Sequence, residues 1–139
     1  MAVIFFASTS ELSASNTTLL LQPLLRWLFP HISDERIAVV HFLVRKGGHL
    51  TEYAVLGLLS ARAFTSSSHA GLRRRWFLTA LILVFVYALS DEYHQSFVPS
   101  RTASIYDSLI DTCGGLAALV LTDWRIRKRR NARQAEARL

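Results

Sequence analysis

The residues able to do chemistry fall into three short blocks. His49, Glu52 and Tyr53 stand at i, i+3 and i+4; Asp91, His94 and Gln95 repeat that spacing with Glu92 beside them; Ser104, Asp107 and Asp111 follow at i, i+3 and i+7. On a helix each set shares one face. Two chemistries fit. In the first, Lys46 and Arg101 hold a phosphate or carboxylate, Arg101 through its bidentate fork, while the acids orient Arg101 and accept sugar or amide donors. In the second, His49, Glu52, Asp91, His94, Asp107 and Asp111 offer imidazole and carboxylate donors able to hold a divalent ion and activate water. Glu92 or His94, with Asp91 alongside, would then act as general base. No ligand motif such as HExxH is present, so neither a metal nor a cofactor is named by the sequence. Cys113 is the single cysteine, which excludes an internal disulfide, a two-cysteine metal cluster and a CxxC redox pair.

Elements that could position these blocks must be helices in an apolar medium. The 139 residues are 51% hydrophobic and 19% charged, which argues against disorder, collagen and a soluble nucleic-acid arm and suits one domain. The net charge of +6 is carried by residues 124–139, with seven basic residues and one acid, while residues 1–123 hold nine of each. Arg73, Arg74 and Arg75 precede one apolar stretch, and Arg125, Arg127, Lys128, Arg129 and Arg130 follow another, as expected of cytoplasmic ends. Three spanning helices are predicted, over residues 41–64, 75–97 and 103–124, each long enough for about 30 Å of hydrocarbon. Residues 65–72 read as a cytoplasmic loop, and Pro99, Ser100 and Arg101 as the tight outer turn.

Residues 1–7, MAVIFFA, are apolar but too short to span, with neither the basic region nor the cleavage site of a signal peptide. They are read either as the end of a first, partial membrane helix whose start lies upstream or as an interfacial anchor. Residues 19–29 read as an amphipathic segment on the membrane surface, interrupted by Pro23 and ended by Pro30. The domain division is a membrane domain over 1–123 and a basic cytoplasmic tail over 124–139.

Helical rise, counted from Phe64, Arg75 and Trp124 at the cytoplasmic boundary, carries His49, Asp91, Asp107 and Asp111 to one level about 20 to 26 Å up. That level is the outer half of the bilayer. Unpaired polar groups there would cost several kcal/mol each, roughly. Such groups either glue helices together, with Arg101 on Asp107 or Glu92 and His49 on Asp111, or form a site for a polar head group or a reaction. His31, His41 and His69 lie in loops or at helix edges and are set aside. Cys113 with Gly114 and Gly115 reads as close helix packing through small residues. Tyr87, Trp76 and Trp124 read as packing and interfacial anchors.

The blocks RKGGHLTEYAVLGLL (45–59) and LSDEYHQSFVPSRTASIYDSLIDTCGG (89–115) resemble the VanZ-like family of small bacterial membrane proteins. The family pattern, Lys-x-x-His-x-x-x-Tyr, then Asp-Glu-x-x-Gln, Pro-x-Arg, Ser-x-x-Asp and a closing Gly, falls on Lys46, His49, Tyr53, Asp91, Glu92, Gln95, Pro99, Arg101, Ser104, Asp107 and Gly114. Where many members carry Asn this chain has Asp111, and it adds Glu52 and His94, which makes the site more acidic and more metal-like. The resemblance implies a multi-helix protein of the bacterial inner membrane, whose namesake is associated with resistance to the lipidated glycopeptide teicoplanin.

The expectation is therefore an all-α, multi-pass transmembrane bundle: three full spanning helices plus an N-terminal partial helix, C-terminus cytoplasmic. Its outer-leaflet site binds a lipid-linked envelope molecule through Lys46, His49, Glu52, Tyr53, Gln95, Arg101, Ser104, Asp107 and Asp111, and bears on teicoplanin susceptibility. The competing expectation is an intramembrane hydrolase or transferase, metal-dependent or not, with Asp91, Glu92 and His94 catalytic. The expected partners are membrane lipids or a lipid-linked cell-wall molecule. Nucleic acid is not among them, because nothing aromatic or module-like accompanies the basic tail. A phosphatidic-acid-phosphatase-like enzyme is set aside because its Arg, His and Asp order cannot be laid on this chain. Ligand identity and oligomeric state stay open.

Overall fold

The computed structural model describes residues 14–97 and 105–137, with side chains from residue 21 onward. The elements are α1 (Ala14–Leu28), α2 (Asp34–Thr65), the short α3 (Ala70–Arg74), α4 (Trp76–Gln95) and α5 (Ile105–Glu136), with no strand among the described residues. MAVIFFA and the 99–101 turn lie outside the described residues.

Local chemistry accounts for several helix ends. Ser33 caps α2 by accepting from the Arg36 amide at 3.4 Å, and Asp34 and Glu35 place negative charge in the first turn, where the helix dipole favours it. Arg26 of α1 pairs with Asp34 at 2.7 Å and ties the two helices at their corner. The Pro23 interruption expected in 19–29 does not occur: the helix runs through the proline and ends at Leu28. Pro23 lacks only its own amide bond to the preceding turn. The segment expected as a loop over 65–72 holds the beginning of α3, whose Arg73 donates to the Ser67 carbonyl at 2.9 Å.

Two helices, not three, are long and apolar enough to cross a membrane: α4 and α5. The segment 41–64 is helical within α2, but Arg45, Lys46, His49, Glu52 and Arg62 lower its hydropathy. The helix that carries the third expected span does not stop at Trp124. It continues as one helix to Glu136, because the basic tail is made of Arg, Lys, Gln and Ala, all strong helix formers.

α2 and α5 run parallel and α4 runs against both. Lys46 meets Asp107, His49 meets Asp111 and Gly57 meets Gly115, so numbers rise together along α2 and α5. Ser108 meets Ala88 and Gly115 meets Val84, so numbers fall along α4 as they rise along α5. The approach of α2 and α5 is backbone on backbone. A Cβ built on Gly57 would stand 2.8 Å from the Gly115 carbonyl oxygen, and one on Gly114 would collide with the Leu50 carbonyl. Small residues at such crossings are what membrane helices use to come close.

The interior divides into levels. Ala61, Ala80 and Leu119, flanked by Phe64, Trp76 and Phe77, fill one end. Tyr53, Leu56, Val84 and Ala88 fill the middle. Beyond them come Asp91, Glu92, Gln95, Ser108 and Asp111, all buried. The outer surface is apolar instead: Leu58, Leu59, Leu78, Ile82, Val86, Leu116, Val120 and Leu121 are exposed. In the most apolar stretches of α4 and α5 only 28% and 33% is buried inside the protein. Acids inside and leucines outside invert the arrangement of a water-soluble domain and match a protein solvated by lipid.

Candidate functional site: a buried polar cluster between three helices

Each block contributes one helix turn. On α2, Lys46, His49 and Tyr53 follow one another down the side facing α5 and α4. Lys46 Nζ lies 2.5 Å from Asp107 Oδ1, and His49 Nδ1 lies 3.7 Å from Asp111 Oδ2. Tyr53, fully enclosed, packs its ring 6.5 Å from that of Tyr87, and its hydroxyl lies within electrostatic range of the Asp91 and Asp111 carboxylates.

On α4 the last two turns supply Asp91, Glu92 and Gln95. The Gln95 amide donates to Asp91 Oδ2 at 2.9 Å, one turn away on the same face, which fixes that carboxylate's orientation. Glu92 is buried beside this pair and lies within electrostatic range of Asp111. On α5 Asp107 and Asp111 sit one turn apart, with Asp111 4% exposed.

The three carriers of charge that meet most closely are His49, Asp91 and Asp111. Each offers a ligand atom, and these atoms all lie within 4.8 Å of one another. Nitrogen and oxygen donors from three helices thus converge on a common volume, the donor chemistry suited to a divalent ion or to the hydrogen-bonding groups of a polar head.

Of the residues singled out by spacing, Lys46, His49, Tyr53, Asp91, Glu92, Gln95, Asp107 and Asp111 are brought together. Glu52 and His94 are half-buried at the flanks, on α2 and near the end of α4, and each is engaged with neighbours. Arg101 and Ser104 lie outside the described residues. One residue escaped the sequence reading: Ser108, 1% exposed, donates its hydroxyl to the Ala88 carbonyl at 3.3 Å and fastens α5 to α4 at the floor of the cluster. Its position three residues before Asp111 was the available signal.

A separate concavity of about 690 Å³ lies at the α1–α2 corner, lined by Leu28, Phe29, Pro30, Ile32, Val39 and Val40 among others. None of the candidate site residues lines it.

Compared with known proteins, residues 1–126 match the family model described as VanZ/LLP1. No curated protein and no solved structure matches the chain.

Proposed function

The chain belongs to the VanZ/LLP1 family, and from that premise, with its two apolar helices, we propose that it is an inner-membrane protein that captures the head group of a lipid-linked envelope molecule. In this reading α2 crosses the membrane with α4 and α5, and the basic 124–139 tail is cytoplasmic. The polar cluster then lies in the outer half of the bilayer, where lipid-linked wall precursors and lipidated glycopeptides reside. Residues 1–123 form the membrane domain.

One observation carries the proposal. Ionisable side chains from three helices, Lys46 with Asp107, His49 with Asp111, and Asp91 with Gln95, converge at one level of a bundle whose outside is apolar. Lys46 and Arg101 supply the cations for a phosphate or carboxylate, and Glu52, Tyr53, Gln95, Ser104, Asp107 and Asp111 the remaining polar contacts. Capture at this level would change the access of a glycopeptide such as teicoplanin to its target.

The clustering of His49, Asp91 and Asp111 favours a second reading. The same residues, with Glu92 or His94 as base, would hydrolyse or transfer the head group they hold.

Purified full-length protein and a Glu92→Gln variant, each incubated with an extract of envelope lipids, separate the two by mass spectrometry of bound and free lipid. A lipid retained unchanged by both is the expected result. A lipid whose mass changes only with the wild type makes the protein an enzyme and names its substrate. Retention of no lipid by either overturns the proposal.

A further inference from the structure

We infer that His49, Asp91 and Asp111 form a binding site for one zinc-type divalent ion, with the Tyr53 hydroxyl donating to the ligand that completes its coordination. The donors come from three different helices, α2, α4 and α5, and their ligand atoms all lie within 4.8 Å of one another. Two ligands on a tetrahedral zinc ion, each at about 2.1 Å, stand about 3.4 Å apart, so the widest pair must close by up to about 1.4 Å, a shift within reach of side-chain rotation, to share a common centre.

Charge and hydrogen bonding both call for a cation there. Asp91 and Asp111 are 5% and 4% exposed, and two buried carboxylates this close are costly without positive charge between them. Lys46, the lysine at this level, is engaged by Asp107 at 2.5 Å. Gln95 donates to Oδ2 of Asp91 at 2.9 Å, the kind of contact by which an outer residue orients a metal-bound carboxylate.

The independent sign of a missing ligand is Tyr53. Its side chain is sealed from solvent at 0% exposure, and its hydroxyl, with no hydrogen-bond partner within 3.5 Å, makes only a long contact toward Asp91 among the Asp91 and Asp111 carboxylates beside it. A buried hydroxyl left so is unusual. An ion on the three donors carrying a water or a head-group oxygen would supply its acceptor. One imidazole and two carboxylates, with no thiolate, fit zinc in a site of three protein ligands and one open position.

The ion site stands apart from the lipid proposal, resting on it only for what occupies the open position: a phosphate or carboxylate oxygen of the captured head group.

The test uses full-length protein in detergent micelles, stripped with chelator and titrated with zinc alone by calorimetry, and separately with cobalt as the coloured substitute. One equivalent of zinc and a four-coordinate cobalt absorption band are expected. Asp111→Asn and Asp91→Asn, which keep side-chain shape, should each lower zinc affinity at least 100-fold. Asp123→Asn, half-buried on α5 more than three turns from Asp111, should leave it unchanged. Asp111→Cys should add a sulfur-to-cobalt charge-transfer band, a gain that a misfolded variant does not give.

Zinc that fails to bind the wild type, or that binds all variants equally, overturns the inference. Running lipid retention with and without chelator separates the two proposals: lipid held equally in both with no zinc bound removes the ion and leaves the capture reading. Zinc bound as expected with no lipid retained does the reverse.

Discussion

Lys46 and Asp107 close a 2.5 Å ion pair between α2 and α5 one helical turn from the 3.7 Å approach of His49 to Asp111. The two contacts are successive rungs between parallel helices, and both are largely shielded, with the Lys46 side chain 17% exposed and that of Asp111 6%. They lock the register in which α2 presents its polar face.

Removing one side of the outer rung leaves a charge without its partner in a medium that solvates it poorly. Lys46→Met should lower the unfolding midpoint in detergent by the equivalent of roughly 1 to 3 kcal/mol. Adding Asp107→Leu should recover part of that loss. A double variant no more stable than Lys46→Met alone would show that Lys46 and Asp107 do not act as a pair.

Gly114→Ala is expected to separate α2 from α5, since the new Cβ meets the Leu50 backbone, which cannot rotate away. The cost should be about 1 to 3 kcal/mol, as for other overpacked interiors. Gly47→Ala, where a Cβ meets nothing within 4 Å, should cost nothing and gain slightly from helix propensity. Thermal unfolding of the two variants side by side checks the contrast.

Tyr53→Phe should split stability from binding. The ring is retained and a poorly satisfied buried hydroxyl is removed, so the midpoint should hold or rise. Lipid retention should fall severalfold if the hydroxyl touches the captured head group. Equal losses of stability and retention would assign Tyr53 a packing role alone.

Topology sets the level of the cluster. A reporter fused after Leu139 should report from the cytoplasm and one inserted at Ser100 from outside. The reverse pattern would bring the polar cluster to the inner leaflet and remove the connection to extracellular glycopeptides.

Helical spacing alone located most of the cluster. The period of 3.6 residues aligns His49 with Tyr53, Asp91 with Gln95, and Asp107 with Asp111, and segment lengths carry them to one level. What spacing leaves out depends on the neighbours. Glu92 is buried because α4 is packed against both α2 and α5, so two adjacent stripes of one helix turn inward. Gly57 contacts the backbone of Gly115 at a distance in sequence that local pattern cannot reach. The continuation of α5 as helix beyond Trp124 is not legible from the charge pattern, because Arg and Lys that mark a membrane boundary also extend a helix. The shortfall of α2 as a span follows from the site itself, whose Lys46, His49 and Glu52 lower the hydropathy of the helix that carries them.

α5 holds Asp107 and Asp111 near one end and Arg125 to Arg133 near the other on a single unbroken 32-residue helix. At about 1.5 Å per residue that is a rod of about 48 Å, longer than the hydrocarbon layer by roughly half. One unbroken helix therefore carries both the buried aspartates and the basic residues, so a displacement at either end is passed along it to the other with no hinge between them.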